Sequence, residues 1–151
     1  DPVAVRTLVR DGRRYVYAVN RDYYSIPLQM TFSGKPTGAR DLATGLALDI
    51  SQRWSFVLGP YELRSLAVAP DVQVTGFTAT PPEPIGTQLR MEAEQTLVAM
   101  AKARTAANRI PGLDELERRI REALDAGRLA WLRRALTSYV ARKCRALVPS
   151  A

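Results

Sequence analysis

The 151-residue chain has no histidine and only one cysteine, Cys144. Without an imidazole, Ser-His-Asp and Cys-His nucleophile schemes are excluded, as are histidine acid–base catalysis and ordinary zinc sites. A lone cysteine excludes an internal disulfide framework or a thiolate metal cluster within one chain, and leaves the compartment open. No stretch approaches eighteen consecutive apolar residues, so no membrane span is expected. No glycine-rich turn leads from strand into helix, so phosphate loops and dinucleotide fingerprints are missing too. The opening Asp1-Pro2-Val3 has neither an initiator methionine nor the layout of a signal peptide, and reads as a piece of a larger protein.

What is present is a basic, arginine-rich chain with a formal net charge of +7. Arginines outnumber lysines nineteen to three, as the codon bias of a GC-rich genome would produce. From Arg128 onward there are six bases and no acid. Cations near helix C-termini complement the helix dipole. No aromatic–basic interleaving or reading motif accompanies the charge, so nucleic acid is not expected as a partner.

The apolar residues change period once. From Val3 to about Thr80 they recur every second position. Asp11-Gly12 is a hairpin turn between Val3–Leu8 and Tyr15–Val19, and the second run is apolar on both faces, as in a central strand. Ile26, Leu28, Met30 and Phe32 share a face, with Pro27 suggesting an edge or strand-entry position. Short runs around Thr44-Gly45 form a small hairpin. Trp54, Phe56 and Leu58 share a face and read as core; Leu63 follows, and Val72, Val74 and Phe77 supply one more strand. Cys144, among Arg142, Lys143 and Arg145, would have a lowered pKa if those cations dominated.

Thr80-Pro81-Pro82-Glu83-Pro84 is a stiff connector, after which the spacing becomes three and four. Leu89, Ala93, Leu97, Met100 and Ala101 form one stripe that ends near Asn108. Leu113, Leu116, Ile120 and Leu124 form a second, with Asp114 and Glu117 in a capping-box arrangement and Gly127 as its exit. Leu129, Leu132, Leu136, Val140 and Leu147 form a third, with Trp131 off the stripe. The expected fold class is therefore α+β: an antiparallel β-sandwich over 1–80, a proline-rich connector at 81–84, and three amphipathic helices over 85–151.

The "R-Y-V-Y-A-V-N" strand at Arg14–Asn20, the "D-L-A-T-G" turn at Asp41–Gly45 and "L-G-P-Y-E-L-R" at Leu58–Arg64 carry a resemblance. Over residues 5–68 the chain resembles the C-terminal β-sandwich domain that follows the catalytic barrel of (β/α)-barrel glycoside hydrolases. The helical tail departs from that pattern. The resemblance implies an accessory piece that stabilises or orients a catalytic barrel of the same parent chain, in an extracytoplasmic setting, with no cofactor and no metal. Its motifs are turns and core positions, so no residue is nominated as catalytic: Asp41 precedes a turn, where aspartate caps backbone amides, and Glu62 has Arg64 two positions on.

Two other functions fit the residues. A carbohydrate-binding module would use exposed aromatics of the Asn20–Tyr24 loop, with Tyr23 and Tyr24 stacking on sugar and Arg21 and Asp22 supplying polar contacts. It requires the two tyrosines to be exposed side by side. A protein-interaction module would require an exposed apolar stripe on Leu129, Leu132 and Leu136.

Overall fold

The structure is a computed structural model and describes residues 2–105 and 110–147. The chain forms two compact units that divide at Pro82 and Glu83. The described residues form seven strands followed by four helices, so the α+β class is as expected.

In the β unit, β1 (Val3–Arg10), β2 (Arg13–Asn20), β6 (Leu63–Val68) and β4 (Arg40–Asp41) form one antiparallel sheet in the order β1-β2-β6-β4. β5 (Arg53–Leu58), β3 (Ile26–Phe32) and β7 (Val74–Ala79) form the other, in the order β5-β3-β7. The Asp11-Gly12 turn has φ of 49° and 70°, the left-handed pair that a two-residue hairpin of this twist requires. Pro27 lies in the middle strand of its sheet. It opposes Val57 of β5, while pairing with β7 starts only at Leu28, so its missing N–H falls at strand entry.

Register explains the burial. Val16 and Ala18 of β2 oppose Leu66 and Arg64 of β6, and Val16, Ala18 and Leu66 are at most 2% exposed. Ile26, Leu28, Met30 and Phe32 of β3 are at most 1% exposed. The Arg64 guanidinium lies 5.0 Å from the Phe56 ring centroid, so these two faces look at each other. The expected hairpin around Thr44-Gly45 shrinks to β4 and an isolated Arg40–Ala47 bridge. Asp41 holds this turn by side-chain hydrogen bonds from the amides of Ala43 (2.8 Å) and Thr44 (2.9 Å).

The helical unit contains α1 (Glu83–Thr105), α2 (Leu113–Asp125), α3 (Leu129–Leu136) and α4 (Tyr139–Ala146). α1 starts inside the proline-rich connector; proline is tolerated in a first turn, whose N–H groups have no intrahelical partner. The buried line of α1 runs Leu89, Ala93, Thr96, Met100, Ala103, while Ala101 is exposed. The expected end near Asn108 lies outside the described residues. The third expected helix is two. Thr137 folds its hydroxyl back onto the carbonyls of Arg133 and Arg134, and Ser138 caps a new start by accepting from the Ala141 amide.

α2 has no capping box. It begins after Gly112, with no side-chain cap, and Asp114 and Glu117 both accept from Arg104 of α1 at 2.6 Å. Gly127 takes the left-handed exit at φ 63°. Leu132 and Leu136 are at most 2% exposed and Leu129 is half-buried against the same cluster. The exposed leucine stripe required of an interaction module is therefore built into the helical core. Trp131 packs against that core as well.

Candidate functional site

The Asn20–Tyr24 loop and the Gly59–Glu62 corner are tied together. Asn20, 1% exposed, donates its side-chain amide to the carbonyls of Tyr24 (2.6 Å) and Gly59 (2.8 Å) and accepts from the Asp22 amide (3.0 Å). Its backbone amide donates to the Glu62 carbonyl at 2.9 Å, and the Tyr61 amide donates to the Asp22 carbonyl at 3.1 Å. Tyr61 adopts φ 55°, a conformation that closes the corner on a residue with a side chain.

Glu62 completes the corner. One of its carboxylate oxygens accepts from the Gly59 amide at 2.6 Å and the other from Arg64 at 3.0 Å. The Gly59 amide is the main cause of its lowered pKa, and Arg64 adds to it. Asp41 is lowered in the same way, first by the Thr44 amide. Asn20, Asp41 and Glu62, three polar residues of the motifs that carry the resemblance, all hold backbone groups.

The sequence-expected sugar residues are split by the fold. Tyr24 is 6% exposed and Asp22 2%, whereas Tyr23 is 40% exposed and Arg21 is exposed. The tyrosine rings meet edge-on, with centroids 5.3 Å apart and planes at 84°. Only one of the two rings faces solvent, because period-two alternation continues through the loop and turns Tyr24 inward. The side-by-side platform that such a module needs is not formed.

A different place combines an aromatic ring with polar groups. Trp54 and Phe56, expected in the core, are half-buried. They lie on the inward face opposite Met30 and Leu28, but β5 is an edge strand and does not close over them. Their rings stack at 4.1 Å and 33°. A cleft of about 500 Å³ beside them is lined by Lys35, Asp49, Ser51, Gln52, Trp54 and Ser55, among others. Lys35 and Asp49 pair across it at 3.2 Å. Alternation along residues 53–58 places Trp54 inward correctly; it carries no information about how far the opposing sheet extends.

Cys144 is fully buried and its pKa is raised by desolvation, which outweighs the neighbouring Lys143. The expected lowering fails because desolvation of the buried thiol is larger than the pull of Lys143. Among the described residues no cluster of three or more Cys, Asp or Glu is arranged to hold a metal, and no helix is long and apolar enough to cross a membrane.

No family model matches the chain, and no curated protein matches it. Solved structures are similar over part of it, among them the following two. A candidate alpha-galactosidase/melibiase from Bacteroides fragilis aligns at 19% identity and a TM-score of 0.41, covering 45% of this chain and 16% of the other. A DUF1425 family member from Shewanella aligns at 16% identity and a TM-score of 0.29, covering 53% of this chain and 76% of the other. The matched region thus spans under a fifth of the Bacteroides protein, and both scores are too low to define a shared fold.

Proposed function

We propose that this chain is a non-catalytic accessory region of a carbohydrate-active, glycoside-hydrolase-like enzyme, which stabilises or orients a catalytic barrel of the same parent protein in an extracytoplasmic setting. One observation carries the reading. Asn20, Asp41 and Glu62, three polar residues of the resembling motifs, are all committed to backbone amides and carbonyls at turns. Glycoside hydrolysis needs two carboxyl groups about 5–10 Å apart around the bond to be cut, one of them free to take or give a proton. Carboxylates held ionised by backbone amides serve turns, not proton transfer.

The test joins the chain to a barrel encoded in the same reading frame and compares the pair with the barrel alone. The reading expects the barrel alone to melt at lower temperature or to lose activity on polymer more than on small glycosides. Equal melting and equal activity end it. So does turnover of chromogenic glycosides by the 151-residue chain itself.

A second reading, contact with polysaccharide, is favoured by the cleft beside Trp54, where an aromatic ring meets amide, hydroxyl and paired charged groups.

A further inference from the structure

We infer that the cleft along β5 is a subsite for a neutral pyranose ring of a polysaccharide, with the Trp54 indole as its stacking platform. The inference rests on the carbohydrate-associated reading and moves the contact from the tyrosine loop to a part of the fold to which the resemblance assigns no role.

The first support is the way the indole is held. Phe56 covers one face of Trp54 at 4.1 Å. Arg64 lies over Phe56 at 5.0 Å, and Glu62 fixes Arg64 at 3.0 Å while its other oxygen holds the Gly59 amide. Carboxylate, guanidinium, phenyl and indole form a ladder anchored in the corner. A ring fixed in this way loses little freedom when a ligand stacks on it, which is what preorganised recognition needs. Trp54 is nevertheless half-buried, while Ile26, Leu28 and Met30 on the paired strand are at most 1% exposed.

The second support is the polar complement. A pyranose presents a flat C–H face and a rim of hydroxyls, each both donor and acceptor. The cleft offers a ring for the first. For the second it offers the Gln52 amide, the Ser51 and Ser55 hydroxyls, and an exposed Lys35–Asp49 pair at 3.2 Å. That pair supplies a donor and an acceptor side by side, as the hydroxyls of a sugar ring require. Arg53, exposed at the start of β5, also lines the cleft and adds a guanidinium donor. A volume of about 500 Å³ accommodates one or two sugar rings.

The experiment uses the full chain carrying Trp131→Phe, so that indole emission reports Trp54 alone. It is titrated with neutral hexasaccharides of glucose, mannose, galactose and xylose, and with oligogalacturonate as the anionic comparison. The expected result is a saturable emission change with at least one neutral oligosaccharide. Binding, followed by calorimetry, should weaken roughly tenfold or more in both Trp54→Ala and Gln52→Ala and stay unchanged in Tyr23→Ala. Gln52 holds Phe32 only through its backbone carbonyl, so truncating its side chain leaves that strand contact in place.

Binding that survives both cleft variants overturns this site and leaves the carbohydrate reading standing. A response to oligogalacturonate alone overturns the neutral class. No response to any sugar overturns the subsite, while the accessory role is decided separately by the melting of the barrel.

Discussion

The side-chain amide of Asn20 donates to the carbonyl of Gly59, thirty-nine positions away, at 2.8 Å. This hydrogen bond ties the end of β2 to the corner between β5 and β6, and so links a strand of one sheet to the exit of the other. Asn20 is 1% exposed and also serves Tyr24 and Asp22.

Asn20→Ala should therefore cost about 2–4 kcal/mol, because it leaves the buried Tyr24 carbonyl and the part-buried Gly59 carbonyl without their donor. Asn20→Asp should cost at least as much, since a carboxylate would face the two carbonyls the amide now serves. Urea unfolding followed by tyrosine and tryptophan emission measures both. A loss below about 0.5 kcal/mol for Asn20→Ala would mean the corner is held by something else.

Acid sensitivity follows from Glu62 and Asp41. Each has a folded-state pKa below its unfolded value, Glu62 chiefly through the Gly59 amide and Asp41 chiefly through the Thr44 amide. Their contribution is fully present above the ordinary carboxylate range, about pH 4–5, and is lost as pH falls through the lowered folded values. The urea midpoint of the β unit should hold steady from pH 7 to about pH 5 and then fall. In Glu62→Gln the neutral-pH midpoint should drop slightly and the fall below about pH 5 should become shallower. An unchanged acid limb would rule out Glu62 as a contributor.

Two arginines of the helical unit should behave differently. Arg145 donates to the Thr96 hydroxyl at 3.1 Å and the Leu136 carbonyl at 2.7 Å, clamping α4 to α1 and to the end of α3 in a half-buried place. Arg104 bridges α1 to Asp114 and Glu117, but its side chain is 50% exposed. Arg145→Ala should cost about 1.5–3 kcal/mol and Arg104→Ala clearly less, because its ion pairs are exposed to solvent. Circular dichroism at 222 nm during denaturation ranks them; the reverse order would contradict the clamp.

Cys144 should be inert to aqueous disulfide reagents in the folded chain, because the thiol is buried and its pKa is raised by desolvation. Its labelling rate should track opening of the helical unit, rising steeply with urea. Cys144→Ala should be tolerated better than Cys144→Asp, which places a charge in the core. Rapid labelling under native conditions would show the helix to be open.

The switch from period two to period three and four is legible in the sequence, since alternation and helical spacing are local properties of the chain. Gly127 at a helix exit and Asp11-Gly12 at a hairpin were readable for the same reason: a left-handed φ is demanded by the turn and met by few residues. The helix break at Thr137-Ser138 was not, because Leu132, Leu136 and Val140 keep their spacing through it. Nor was the fate of Asp114 and Glu117. They sit at capping positions in the sequence, yet Arg104, ten and thirteen positions away, draws them into ion pairs.

By itself, the sequence determined the α+β class, the strand-rich front, the helical rear, and the exclusion of imidazole and disulfide chemistry, because composition and period survive any arrangement in space. Only the tertiary structure decided which aromatics face water. Tyr24 turns inward, while Trp54 stays half-open because its strand is at a sheet edge. Exposure depends on what the opposing layer covers, and a single strand's alternation carries no record of its neighbours.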